Sequence, residues 1–166
     1  MAGIVFPMGR ATRKILLTIY TRLLKTFGPQ QWWPAQTKFE VIIGALLTQN
    51  TNWGNVEKAI QNLRNNKLLS PQALKNISLH DLSLQIKPSG YFNVKAKRLK
   101  NFVSFLFKEY QGSLKEMGRE ETWALRQKLL HVNGIGPETA DSILLYAFDK
   151  PVFVVDAYTR RIFSRH

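Results

Sequence analysis

The sequence predicts an all-α fold, and three observations carry that prediction. Apolar residues recur at helical spacing through most of the chain. Gly, Pro, Ser and Asn stand between those segments, where helices stop and start. Only Pro151–Val155 reads as extended, and one isolated run makes no sheet.

The segments follow in order. Residues 11–26 put Ile15, Leu16, Ile19, Leu23 and Leu24 on one helical face, and Gly28-Pro29 stops that helix. Residues 38–48 are apolar nearly all round, as a buried central helix is. A third helix is expected over 54–65. Ser70-Pro71 opens a short one over 71–76, and Ser78 to Gln85 forms another, ended by Lys87-Pro88-Ser89-Gly90. Asn93 is placed to cap a basic amphipathic helix over 94–110. Residues 121–131 are helical up to a sharp break at Asn133-Gly134-Ile135-Gly136, and Pro137 suits the first turn of a helix over 137–147. Asp156 is placed to cap a last helix. Tyr146 and Phe148 are expected in the core, and Asp141 and Asp149 at the surface or in local caps.

The chain has 166 residues, close to one ordinary domain, and is 45% hydrophobic, enough to bury a core. No apolar run is long enough for a membrane span, and the first residues lack the pattern of a secretory signal, so a cytoplasmic setting is the default. With no cysteine, these residues supply no disulfide, thiolate zinc site or iron–sulfur cluster. His80, His131 and His166 show no ligand spacing, and no metal is expected.

Charge narrows the partner. Lys and Arg number 24 against 11 Asp and Glu, a net charge of +13. Residues 1–28 and 87–100 carry bases and no acid. Such an excess favours a polyanion through phosphate neutralisation and counterion release, although a solvated basic surface reads the same way.

The most specific local motif is Leu129 to Ala140, a helix, a glycine hairpin and a second helix. Gly134 and Gly136 are expected to allow positive φ and close approach of a phosphate. The second helix would then point its free N–H groups and dipole at that phosphate. Leu129, Val132, Ile135, Ala140 and Ile143 would hold the two helices together. An ordinary helix–helix turn is the alternative, and the apolar frame favours the phosphate reading.

Residues Val132 to Arg161 resemble the endonuclease III branch of the helix-hairpin-helix glycosylase superfamily. The family pattern is a Gly-hydrophobic-Gly hairpin, then Thr-Ala and an apolar helix, then an Asp closing an apolar run. Upstream, L-L-T-Q-N-T-N-W over 46–53 resembles the family's buried helix ending in a Gln that enters the DNA stack. S-G-Y-F-N-V-K-A-K-R-L over 89–99 resembles its G-x-Y/F-x-x-K-A-x-x-L helix start. Together the three motifs cover about residues 38–166. The resemblance implies the HhH-GPD fold and a base-excision DNA glycosylase acting on double-stranded DNA that contains a damaged base.

That resemblance assigns roles. Asp156 becomes the catalytic residue. An apolar side formed by Phe153-Val154-Val155 and a helix start favouring the ionised form would suit it to stabilise an oxocarbenium-like sugar and orient water. An Asp before a helix also serves as a plain N-cap. Asn133, Gly134, Ile135 and Gly136 become the DNA-binding hairpin, Gln49 the side chain filling the gap left by a flipped base, and Lys95, Lys97 and Arg98 phosphate contacts or their neighbours. Family members that also cleave the backbone carry a Lys two residues after the second hairpin glycine; here Glu138 stands there, which implies a monofunctional enzyme.

Trp32-Trp33-Pro34 before the buried helix, with Trp53 after it, resembles the bacterial 3-methyladenine glycosylases of that group. These four residues become a stacking pocket for a cationic alkylated purine, core packing being the alternative. Oxidised or mispaired pyrimidines are a second substrate class, a glycosylase–lyase another form of the enzyme, and a non-catalytic DNA-binding module a further reading. Residues 30–150 are expected as a six-helix core, and residues 1–29 with 151–166 as a partial second subdomain. Only ten residues follow Asp156, where the family carries further helices and often a four-cysteine loop. A C-terminal truncation, a monomer and marginal stability or weak activity are therefore expected.

Overall fold

The computed structural model describes residues 10–30 and 33–165, and among them all regular structure is helical. The chain divides into two units between Pro34 and Ala35. In the first, α1 (Arg10–Phe27) has no acid in its first turn and Lys25 in its last. Ile15, Ile19, Leu23, Leu24 and Phe27 on it are exposed.

The second unit is organised around α2 (Lys38–Leu47), whose residues Phe39 to Leu47 are all buried. Thr37 caps it, its hydroxyl accepting from the Glu40 N–H at 3.1 Å. Complete burial of Ile42, Ile43 and Leu47 stabilises the unit by about 1.5–3 kcal/mol each. Glu40 is also buried, and Arg64 answers its charge at 2.5 Å from α3 (Trp53–Asn65). Asn52, Ser70 and Ser78 cap α3, α4 (Pro71–Asn76) and α5 (Leu79–Gln85) with their side-chain oxygens.

After the 3₁₀ turn Lys87–Ser89 comes α6 (Phe92–Tyr110), which lays Ala96, Leu99, Phe102, Val103 and Leu106 against the core. Asn93 lies inside this helix instead of capping it. The cap position is Tyr91, in left-handed backbone at φ 45° after Gly90 at φ 67°, and no side chain caps the helix there. A short helix that the sequence did not announce, α7 (Leu114–Arg119), is capped by Ser113 and buries Met117. Glu121 caps α8 (Thr122–Leu130). Beyond the hairpin, α9 (Pro137–Ser142) runs into a π turn over Ile143–Ala147 that packs on α2. Residues 151–156 have no regular structure, and α10 (Ala157–Arg165) buries none of its residues. It falls in the same unit as the core helices.

The expectations for three residues change. Asp141 is buried, because Arg126 on α8 pairs with it through two bonds of 2.6 and 3.0 Å. Tyr146 and Phe148 are half-buried; the Phe148 ring lies 5.6 Å below Lys38 Nζ.

A polar cluster closes the far end of α6. The Tyr110 hydroxyl donates to Glu120, Lys128 Nζ lies 2.6 Å from the Glu120 carboxylate, and Lys150 Nζ donates to the Glu120 carbonyl at 2.6 Å. Burial alone would raise the Glu120 pKa, but the bonds from Lys128 and Tyr110 and the charges of Lys128 and Lys150 hold it below its ordinary value. Burial, then the Glu120 bond and charge, push the Tyr110 phenol up. A depressed carboxylate contributes stability above its unfolded pKa that is lost as pH falls through the folded one. A raised phenol contributes stability below its unfolded pKa that is lost as pH rises through the folded one. Glu120→Gln is therefore expected to cost about 1.5–3 kcal/mol at neutral pH. It should also flatten the melting temperature against pH at both the acid and the alkaline end; an unchanged profile would refute the coupling.

Candidate nucleic-acid interface and catalytic carboxylate

The hairpin between α8 and α9 has the expected apolar frame: Leu129, Val132, Ile135, Ala140 and Ile143 are all buried. Gly134 adopts φ 97°, a left-handed conformation, and a Cβ there would lie 2.8 Å from Arg98 Cδ. Only glycine satisfies both the angle and the space. Gly136 differs from expectation: its φ is −93° with ψ 178°, ordinary extended backbone. What it offers is room, since an added Cβ there would have nothing within 4 Å, above the first turn of α9. Asn133 is exposed, and its carbonyl accepts from Asn101 Nδ2 at 3.1 Å. The Arg126–Asp141 pair ties α8 to α9 behind the turn.

The basic residues expected at phosphates separate into three kinds. Lys95 is the correction: it is 1% exposed. Its Nζ donates to the Leu47 carbonyl at 2.8 Å and the Ser89 carbonyl at 2.6 Å, closing the end of α2 and the 3₁₀ turn. Burial, then the Arg98 charge, lowers its pKa. Lys97 is exposed and Arg98 half-buried against Gly134. Lys100 does for α4 what Lys95 does for α2, its Nζ bonding the carbonyls of Leu74, Lys75 and Ile77. A cation at a helix C-terminus meets the negative end of the dipole as well as unpaired carbonyls.

Lys95→Ala is thus expected to cost about 2–4 kcal/mol in stability, by leaving two buried carbonyls unpaired and a cavity. Lys97→Ala should leave the melting temperature in place and reduce the salt slope of duplex binding by about one. Thermal melts beside binding at several salt concentrations check the pair; equal effects in both assays would defeat the distinction.

Gln49, just beyond α2, is turned onto the hairpin. Its Nε2 donates to the Gly134 carbonyl at 3.1 Å and to Thr139 Oγ1 at 2.9 Å, while its Oε1 accepts from Arg98. Beside the hairpin a groove is lined by Asn101, Ser104, Lys108, Lys128, His131 and Asn133. Asn101 and Lys108 reach it from α6, Lys128 from α8 and Asn133 from the turn, positions far apart in sequence that no local pattern announced.

Asp156 stands at the start of α10. Its Oδ1 accepts from both the Thr159 N–H and the Thr159 hydroxyl, each at 2.7 Å. It is half-buried, and of the apolar run before it Phe153 and Val155 are exposed while Val154 is half-buried. Tyr146, in the π turn, is the neighbour that sequence reasoning passed over. Burial first, and the Asp156 charge second, raise its pKa. π turns occur at functional sites, and no short motif predicts them.

Among the aromatic candidates, Trp32 lies outside the described residues. Trp33 is half-buried and Pro34 exposed at the end of the first unit, and Trp53 is half-buried as the first residue of α3 in the second. Glu138 is exposed in the first turn of α9. Among the described residues no three His, Asp or Glu side chains group to hold a metal, and a four-cysteine cluster has no ligands in a chain without cysteine. No described helix is long and apolar enough to cross a membrane.

The family model for HhH-GPD superfamily base excision DNA repair proteins matches residues 43–166. A Methanocaldococcus jannaschii protein named as a candidate DNA repair glycosylase is 51% identical over 154 residues, 92% of this chain and 70% of that one. Endonuclease III of Thermotoga maritima is 33% identical over 127 residues, 76% of this chain and 55% of that protein. Among solved structures, Helicobacter pylori 3-methyladenine DNA glycosylase bound to 1,N6-ethenoadenine superposes with a TM-score of 0.79 at 36% identity. That match covers 92% of this chain and 72% of the other. A non-covalent endonuclease III–DNA complex shares the fold, with a TM-score of 0.74 at 22% identity.

Proposed function

This chain belongs to the HhH-GPD superfamily of base excision DNA repair proteins, and from that membership we propose that it is a monofunctional DNA glycosylase for N-alkylated purines in duplex DNA. The observation that carries the reading is Asp156. It is a carboxylate pinned by Thr159 at a helix start, in a chain whose hairpin helix presents Glu138 where a lyase carries its amine. A carboxylate cannot form a Schiff base with the sugar.

In this reading the hairpin holds the phosphate backbone, the +13 charge supplies long-range attraction, and the damaged nucleotide is flipped out of the stack. Trp53, at the start of α3, is the residue we assign to stack on the base. An indole face suits a cationic purine. Such a base leaves without general-acid help, so the work left to the protein is electrostatic. Asp156 stabilises the positive charge growing on the sugar and orients the water that replaces the base. The likeness to an enzyme named for 3-methyladenine supports the substrate class.

The test is base release from methylated duplex DNA. Free 3-methyladenine, with sites that break only on later alkali treatment, is the expected result. Strand breaks without alkali would overturn the monofunctional assignment. Binding without release of any alkylated base would overturn the substrate.

A further inference from the structure

We propose that Gln49 and Arg98 form a clamp that positions the hairpin for phosphate capture, which makes both of them positioning residues; the DNA part of this inference rests on the glycosylase reading above. Gln49 stands in a half-buried turn directly after the C-cap Thr48 of the most deeply buried helix. From there its amide makes three bonds, to the Gly134 carbonyl, to Thr139 Oγ1 and from the Arg98 guanidinium. These partners lie 85, 90 and 49 residues away in sequence. Thr139 is buried in α9, Arg98 belongs to α6, and Gly134 is the left-handed residue of the turn. One amide therefore ties together α2, α6, the turn and α9.

The geometry is directional. The Gly134 carbonyl, held from inside by Gln49, fixes the plane of the Gly134–Ile135 peptide. That orients the Ile135 N–H, which donates to the Val132 carbonyl at 3.0 Å, and fixes how the chain enters Gly136 and the open space beyond it. Arg98 packs across the bare face of Gly134 and donates one N–H to Gln49, so the turn is held from two sides. Gln49 cannot keep these bonds and also place its amide in a DNA stack. Docked on the hairpin it acts before any base has flipped, and its loss must show on undamaged DNA.

Two variants remove different parts of the clamp: Gln49→Ala deletes the amide, and Thr139→Val deletes one acceptor at nearly constant volume. Two readouts apply to each. The first is native-state hydrogen exchange. Exchange of the Ile135 amide is expected to rise about tenfold in Gln49→Ala and by less in Thr139→Val, while amides of α3 such as Val56 and Ile60 stay unchanged. The second is affinity for an undamaged duplex, expected to fall about tenfold in Gln49→Ala. The double variant should be little worse than Gln49→Ala alone, because both act on one unit.

Unchanged Ile135 exchange overturns the clamp. Faster exchange with unchanged affinity for undamaged duplex overturns its role in phosphate capture, and a defect confined to duplexes with a flipped base would mark Gln49 as a gap filler alone. A wild-type protein that binds no duplex would refute the glycosylase reading, and the exchange result would still decide the clamp.

Discussion

Asp156→Asn is expected to reduce base release by about two to four orders of magnitude while leaving the fold in place. The two halves of that expectation come from different atoms. Oδ1 is occupied by the Thr159 N–H and hydroxyl, an N-cap arrangement that an asparagine side-chain oxygen can reproduce. The start of α10 should therefore hold to within about 1 kcal/mol. What the substitution removes is the negative charge, which is the part the proposed reaction would use. Base release and thermal melting on the same preparation check both halves. Full release by the Asn variant would reduce Asp156 to a cap; a large drop in melting temperature would show that its charge is structural. Tyr146→Phe supplies a control, because it removes the phenol whose pKa the Asp156 charge raises and leaves that charge in place.

Gly134→Ala should lose nearly all duplex binding and cost about 1–3 kcal/mol or more in stability. A Cβ at φ 97° is strained by the backbone alone, and the space it would need is occupied by the aliphatic part of Arg98. Relief requires Arg98 to move, which breaks its bond to Gln49 and with it the hold on the turn. Gly136→Ala is the contrast. Its backbone is extended and nothing lies within 4 Å of an added Cβ, so the melting temperature should stay put. A loss of duplex affinity there would support the proposed seating of a phosphate at this glycine. Melting curves and binding isotherms for the two variants decide the matter. Equal stabilities would refute the packing account of Gly134.

The helices were legible because their signals are local. The apolar spacing of 11–26 and the continuous apolar run of 38–48 require no partner to be known, and Ser70, Ser78 and Pro137 mark starts within one turn. The short α7 was not legible, since it buries only Met117 and six residues give no period to read. The hairpin motif and the carboxylate could be read as positions, but not as geometry. Gly-x-Gly does not say which glycine carries the positive φ. Lys95 was read as a phosphate contact because charge counting cannot see a carbonyl 48 residues upstream. Asp141 was placed at the surface or in a local cap for the same reason, its partner Arg126 being on the helix before the turn. Polar side chains that meet across the fold leave no mark in the local pattern, and here they build the site's frame.

The basic helix α6 has a consequence for protein engineering. Along one stretch of it, Lys95, Arg98, Lys100 and Asn101 each reach the backbone or side chain of a different part of the chain. Each is fitted by length and by donor geometry, so Arg and Lys are not exchangeable among these positions. Anyone lowering the charge of this protein to curb its stickiness toward unrelated nucleic acid would choose α6 first, as a dense block of cations. That choice would dismantle the scaffold. Lys97 is the position on this stretch that can be recoloured, and the remaining charge should be taken from other exposed surfaces.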